Sequence, residues 1–298
     1  MRIGFIGLGN MGHPMAGHLL AAGHSLVVHD LRREAATTLL AAGAAWAESP
    51  RAAAAHSEMV ATCLPGPREM EAVALGPDGI LEGLAAGAVY IDHTTNSPRL
   101  IRQIDAFVRA RGAAMLDAPV SGGMEGARTR DLLVMAGGER VVFERVRPVL
   151  DALAARVIYT GAIGNGSVCK LMHNCASFSL DLLLAECWTA GVKAGVAPET
   201  LVDVFRSAAL GHMMSLKVRL PATYLRGHFD ARFALRLAHK DLALAVELGR
   251  AYGVPMRLST LCEQELAAAM ARGWGERDAS IALTLQEERA GVQVRLPG

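Results

Sequence analysis

Aromatic residues are scarce in this chain of 298 residues, at 5%. Any core has to be filled by small and aliphatic side chains, which the 52% hydrophobic composition supplies, and that composition excludes a disordered chain. A run of one charge is missing too. Thirty basic residues stand against 29 acidic ones, a formal net charge of +1, so there is no long-range field to draw the protein to nucleic acid or anionic lipid. The five cysteines (63, 169, 175, 187 and 262) are odd in number and form no CxxC pair. This argues against a disulfide frame or a metal site and for reduced thiols in the cytoplasm. No window holds about 18 uninterrupted apolar residues, because His173, Asp181 and Glu186 break the most hydrophobic segment, and no membrane span is expected. Low-complexity tracts and repeats of fixed period are also absent. The exclusions leave a globular protein whose partner is a small molecule or another subunit.

The length corresponds to about two domains. Up to about residue 160, short β-rich runs (RIGFIG, SLVVHD, EMVATCL, AVYIDHT, AAMLDAP, LLVMAGG, RVIYTG) alternate with Ala/Arg/Glu-rich helical stretches. Alternation of this kind predicts an α/β Rossmann-type doubly wound, mainly parallel sheet with helices on both faces. After residue 163 the strand runs stop. Helical periodicity takes over at about 165 to 194, then near 198 to 207, 212 to 225, 235 to 252, 256 to 272 and 279 to 288, punctuated by Gly195, Pro198, Gly211, Gly253 and Gly273. Two domains are expected: 1–163, the sheet domain, and 164–298, an all-α domain opening on a long helix. The second is rich enough in apolar helix faces to suggest a homodimer or homotetramer.

The N-terminal segment imitates a signal peptide, but its glycines have a better explanation. Gly7, Gly9 and Gly12 form GLGNMG directly after a predicted strand and directly before a predicted helix. The first glycine allows a tight turn, the second lets backbone approach a pyrophosphate, and the third lets helix and strand pack closely. Leu8, Asn10 and Met11 complete the turn, whose amides and helix N-terminus face the anion. Asp30 ends the next strand 18 residues after Gly12, where its carboxylate would accept from the adenosine ribose of a dinucleotide. A carboxylate there repels a 2′-phosphate and favours NAD over NADP, although Arg32 and Arg33 follow and could neutralise one.

Three further segments carry polar groups that do not fit a plain core. In DAPVSGG (117–123), Pro119 cannot donate to a central ladder, so a strand end and turn are expected there. Ser121, Gly122 and Gly123 could cradle a carboxylate, and a simple tight turn explains the glycines equally well. In GNGSVCKLMHN and the apolar helix that follows, Lys170, Asn174, Ser177 and Asp181 fall at i, i+4, i+7 and i+11, a narrow polar stripe. Lys170 either snorkels to solvent or stands partly desolvated, where its ammonium is disfavoured and it can exchange protons near neutral pH. In HKDLALA (239–245), Lys240 reads from sequence alone as a solvated surface cation.

These segments and GFIGLGNMG, in this order and at these spacings, resemble the β-hydroxyacid dehydrogenase family, which is related to 6-phosphogluconate dehydrogenase; the resemblance covers nearly the whole chain. It implies an NAD(P)-dependent enzyme interconverting a small β-hydroxy acid and its semialdehyde. It implies Lys170 as general acid/base, Ser121, Gly122 and Gly123 as the carboxylate grip, Asn174 as a substrate hydrogen-bonder, and Lys240 reaching over cofactor and substrate. Asp241 would fix local geometry. Leu64, Pro65 and Thr95 match cofactor contacts, and Phe233 a wall of the substrate pocket. His173, one step off the stripe, is expected to support rather than catalyse. The chain departs from the family at Arg130, where a glycine is usual, and at Glu69, where Asn is frequent. Two other readings of the architecture are an imine reductase and a non-catalytic cofactor-bound scaffold. Members of both groups generally lack the lysine that this chain has. The arginines at 128, 130, 219 and 232 are expected at the surface.

Overall fold

The computed structural model describes residues 1–213 and 215–296. Met214, inside the helix expected at 212 to 225, and Pro297 and Gly298, at the end of the expected second domain, lie outside the described residues. The chain divides into two compact units, Met1–Lys170 and Leu171–Gly298.

The first unit holds nine strands: β1 (Arg2–Ile6), β2 (Ser25–His29), β3 (Ala45–Trp46), β4 (Met59–Thr62), β5 (Val89–Asp92), β6 (Ala114–Asp117), β7 (Val120–Ser121), β8 (Leu133–Gly138) and β9 (Arg156–Gly161). They form one sheet in the order β3-β2-β1-β4-β5-β6-β8-β7, with β9 also paired to β8. The pairs from β3 through β6 are all parallel, and β8 runs antiparallel to β6 and β7. All seven strand runs expected from sequence are present. The two-residue β3 and β7 were too short to show a period.

Eight helices and the start of a ninth accompany the sheet: α1 (Gly12–Ala21), α2 (Thr37–Ala41), α3 (Pro50–Ala55), α4 (Pro67–Leu75), α5 (Ile80–Gly83), α6 (Pro98–Ala110), α7 (Gly123–Thr129), α8 (Arg140–Leu153) and α9 (Asn165–Lys193). Their starts follow from local chemistry. Ser49 caps α3 by accepting from the Ala52 amide at 3.1 Å, and Pro50, Pro67 and Pro98 occupy the first helical position, where a missing N–H costs nothing. Alternation along the strands sends side chains to two cores. Ile3, Phe5, Met59, Ile91 and Leu116 join Met15 and Leu19 of α1 and Phe143 of α8 on one face, while Ile6, Val60, Tyr90 and Met115 join Met70 of α4 and Ile101 and Ile104 of α6 on the other. The α/β expectation holds, with helices on both faces.

The second unit is helical. It takes over α9 at Leu171 and continues with α10 (Pro198–Ser207), α11 (Leu220–Ala222), α12 (Leu235–Ala251), α13 (Arg257–Ala271) and α14 (Thr284–Ala290). The continuous helix expected at 212 to 225 is broken into a 3-10 turn (Ala209–His212), a π turn (Ser215–Arg219), the short α11 and a second 3-10 turn (Tyr224–Arg226). Pro221, which lacks an amide hydrogen, sits in the middle of this stretch. The segment expected at 279 to 288 likewise begins as a 3-10 turn, Ala279–Leu283, before α14. By length and composition α9 could cross a membrane. In this unit it puts Leu171 and Cys175 into one apolar cluster and Leu184, Ala185 and Trp188 into a second.

Candidate functional site

At the end of β1 the chain turns through Gly7, whose φ of +92° suits a glycine and whose amide is held by the His29 carbonyl at 3.0 Å. A Cβ at Gly12 would collide with the Gly7 carbonyl, and one at Gly7 with the Cys63 carbonyl. Strand, turn and α1 are therefore packed main chain to main chain. At Gly9 a Cβ would meet no protein atom within 4 Å: here the backbone borders open space, as a pyrophosphate against the turn requires. Leu8 is buried and Met11 half-buried, while Gly9 and Asn10 are exposed.

Asp30 also shapes this turn. Its Oδ2 accepts the Leu8 amide at 2.7 Å and its Oδ1 accepts the Arg32 amide at 2.9 Å. Each oxygen keeps a second lone pair for a ribose hydroxyl. Arg33 lies 3.3 Å from Glu48, with its guanidinium 5.4 Å from the Trp46 ring centroid.

Three polar residues stand in register at the carboxyl ends of adjacent strands: Thr62, Asp92 and Asp117. All are fully buried. Asp92 accepts from the Thr62 hydroxyl at 2.8 Å, the Thr94 amide at 3.0 Å and the Asn96 side-chain amide at 3.2 Å. Thr94 in turn accepts the Leu64 amide at 3.0 Å. The loops carrying Leu64, Pro65 and Thr95 are thus tied to one buried carboxylate, and burial raises the Asp92 carboxyl above its ordinary range despite these bonds. Pro65 is exposed and Thr95 half-buried. The roles of Thr62, Asp92 and Asn96 were missed from sequence. An acid closing an apolar strand, the signal that marked Asp30, was equally present at Asp92 and Asp117.

Further along, Ser121 closes β7 and is half-buried, and Gly122 (φ +139°) and Gly123 (φ +65°) are exposed and open α7. A Cβ at Gly123 would meet nothing within 4 Å, so the backbone has open space on that side as well. Arg130 ends α7 at φ +64°, a left-handed conformation that explains why glycine would suit this position. Glu69 is exposed in the first turn of α4.

Lys170 is buried, with 7% of its surface exposed, so its side chain does not lie out in solvent. On the same helix Asn174 and Asp181 are buried and Ser177 half-buried, which accounts for the predicted stripe. Within the second unit, the Asn174 side-chain amide donates to Asp241 Oδ2 at 2.6 Å, and Lys240 Nζ lies 2.9 Å from Asp241 Oδ1. One carboxylate bridges the two residues. His173 Nδ1 is 3.1 Å from the Asn174 side-chain carbonyl oxygen. Lys240 is not the solvated cation that its sequence alone suggested: its side chain is 24% exposed and engaged. Phe233 is half-buried, its ring 5.4 Å from that of Phe178, and its amide is held by Asp278 at 3.1 Å. Arg128, Arg130 and Arg232 are exposed as expected, but Arg219 is not. It forms an ion pair with buried Asp181 and stacks near Phe178, because an acid on an apolar helix face requires a cation.

No group of three or more His, Cys, Asp or Glu able to hold a metal occurs among the described residues, and all five cysteines are unbridged.

Known proteins match these features along the chain. Residues 2–161 match the NAD-binding domain of 6-phosphogluconate dehydrogenase, and residues 164–285 match the NAD-binding domain of NADP-dependent 3-hydroxyisobutyrate dehydrogenase. The 2-(hydroxymethyl)glutarate dehydrogenase of Eubacterium barkeri is 34% identical over 99% of this chain and 97% of its own. The 3-sulfolactaldehyde reductase of Escherichia coli is 35% identical over 99% and 98%. Among solved structures, Mycobacterium tuberculosis 3-hydroxyisobutyrate dehydrogenase with L-serine superposes with a TM-score of 0.83 at 30% identity, covering 95% of this chain and 98% of that one.

Proposed function

The chain belongs to the β-hydroxyacid dehydrogenase family, and on that premise we propose how its residues serve an NAD(P)-dependent oxidoreductase that interconverts a small β-hydroxy acid and its semialdehyde. The observation that carries the assignment of roles is the burial of Lys170 on α9, at the head of the polar stripe that runs on through Asn174.

The GLGNMG turn fits a dinucleotide, with open space at Gly9 and a carboxylate at Asp30. Gly7 to Gly12, Asp30, Leu64, Pro65 and Thr95 would hold it, and NAD is the proposed preference because Asp30 would face a 2′-phosphate while Arg33 is engaged by Glu48. When bound, the nicotinamide accepts or returns the hydride. Ser121 and the amides of Gly122 and Gly123 grip the substrate carboxylate. Lys170, as neutral amine, takes the hydroxyl proton during oxidation, and as ammonium it returns that proton to the aldehyde oxygen during reduction. Asn174 hydrogen-bonds the substrate, and Asp241 holds Asn174 and Lys240 in place. Phe233 lends an apolar wall. A homodimer or homotetramer in the cytoplasm is the proposed state, supported by exposed Leu183, Leu258 and Leu261 on α9 and α13.

The test is absorbance at the NADH band with a panel of β-hydroxy acids, including 3-hydroxyisobutyrate, L-serine and 2-(hydroxymethyl)glutarate, and with cyclic imines, each with both cofactors. The reading predicts turnover of at least one acid, faster with NAD. Response to cyclic imines alone would establish an imine reductase instead, and silence throughout would favour the scaffold reading.

A further inference from the structure

Asp117 is the other fully buried carboxylate at the sheet's carboxyl edge, and its two oxygens have separate tasks. Oδ1 accepts the Gly164 amide at 2.7 Å and Oδ2 accepts the Ser167 amide at 2.6 Å. Gly164 immediately precedes α9, and Ser167 is the third residue of that helix. The first amides of a helix have no acceptor inside it, and usually a neighbouring Ser, Thr, Asp or Asn serves them. Here the acceptor comes from 47 and 50 residues earlier in the chain, so the cap is also a tie between sheet and helix. Lys170 lies three residues beyond Ser167, one turn above the tie.

The surroundings leave that turn little room to shift. A Cβ at Gly166 would collide with the Met135 carbonyl, and one at Gly137 would come within 2.6 Å of Asp117 Oδ1 and 2.9 Å of the Gly166 nitrogen. The tie is costly to keep. Burial above all, with the charge of Asp92 on the neighbouring strand adding to it, pushes the Asp117 carboxyl up to about 7 against the pull of the two amides. A neutral side chain would avoid that cost.

We propose that Asp117 is a positioning residue for the redox reaction: by binding the amides of Gly164 and Ser167 it sets the first turn of α9, and so the place from which Lys170 moves its proton. The inference rests on the assignment of proton transfer to Lys170.

The test compares Asp117→Asn, Asp117→Ser and Lys170→Ala in the full chain. The asparagine keeps the volume and one acceptor but turns an NH2 group toward an amide that needs an acceptor. We expect Asp117→Asn to lower kcat about ten- to a hundredfold, the scale of a slight misplacement of a reacting group. NADH binding, read by fluorescence titration, and KM for the cofactor should stay at wild-type values. The pH midpoint of kcat should move, since the desolvation of the Lys170 amine depends on where the first turn of α9 holds it. Asp117→Ser, with an acceptor and a freely turning hydroxyl, should recover part of the loss. Wild-type kcat with an unmoved midpoint would overturn the proposal. So would an equal loss of cofactor binding and turnover, or failure of both variants to fold, because Asp117 would then serve the fold alone. Should Lys170→Ala turn over normally, the assignment of Lys170 fails first and this inference falls with it.

Discussion

The sheet unit and the helical unit build their candidate sites from different material. In Met1–Lys170 the proposed recognition would rest on main chain: Gly7, Gly9, Gly12, Gly122 and Gly123 expose or compress backbone, and the half-buried Asp30 and the buried Asp92 hold the loops through amides. In Leu171–Gly298 it would rest on side chains, with Asp241 joining Asn174 to Lys240. A backbone site is broken by adding an atom, and a side-chain site by removing a charge.

The largest effect should come from Gly12→Ala. Its new Cβ would run into the Gly7 carbonyl, so strand and helix must part; a stability loss on the order of 3 kcal/mol and loss of NADH binding are expected by thermal unfolding and fluorescence titration. Gly9→Ala serves as the control, since its Cβ meets only open space. The fold should hold within about 0.5 kcal/mol while cofactor affinity falls.

Next comes Asp241→Asn, which leaves Lys240 without its counter-charge and offers Asn174 a weaker acceptor. Steady-state kinetics should show kcat/KM for the acid down about ten- to a hundredfold, the equivalent of roughly 1.5–3 kcal/mol for a hydrogen bond to a charged group. NADH affinity that changes as much as kcat/KM would dissolve the contrast between the units.

A smaller effect lies in the pH dependence of stability, where two buried groups of the sheet unit oppose each other. Asp117, raised to about 7, favours the folded state at acid pH, and that contribution is lost as pH rises through about 7. His93, lowered to about 4 mainly by burial, contributes stability above its ordinary range that is lost as pH falls through about 4. Asp117→Asn deletes only the first. Urea unfolding should therefore show the variant gaining on wild type by about 2 kcal/mol or more between pH 4 and pH 7.5. A constant difference would mean that Asp117 is not strained by burial.

The smallest effect is Arg130→Gly, which relieves a left-handed arginine at the end of α7. A gain of up to about 1 kcal/mol in unfolding free energy is expected, with kinetics unchanged.

The same contrast governs what could be read from sequence. GLGNMG and Asp30 were legible because a glycine requirement and a strand-end acid are local signals. Seven strands were legible as short β-rich runs, and α9, α10, α12 and α13 as helical periods. Contacts between distant residues were not legible: Asn174 and Asp241 lie 67 positions apart, and Asp117 and Ser167 lie 50 apart. The segment around Pro221 read as one helix because its apolar spacing is regular, and periodicity does not register a missing amide hydrogen. Arg219 read as a surface charge because nothing near it in sequence announces Asp181, 38 positions earlier.

The central claim, that the buried lysine of α9 moves the proton, is tested most directly by Lys170→Ala assayed with whichever β-hydroxy acid the panel identifies. The account predicts turnover at least about a hundredfold below wild type with NADH affinity retained. Turnover within a few-fold of wild type would contradict it.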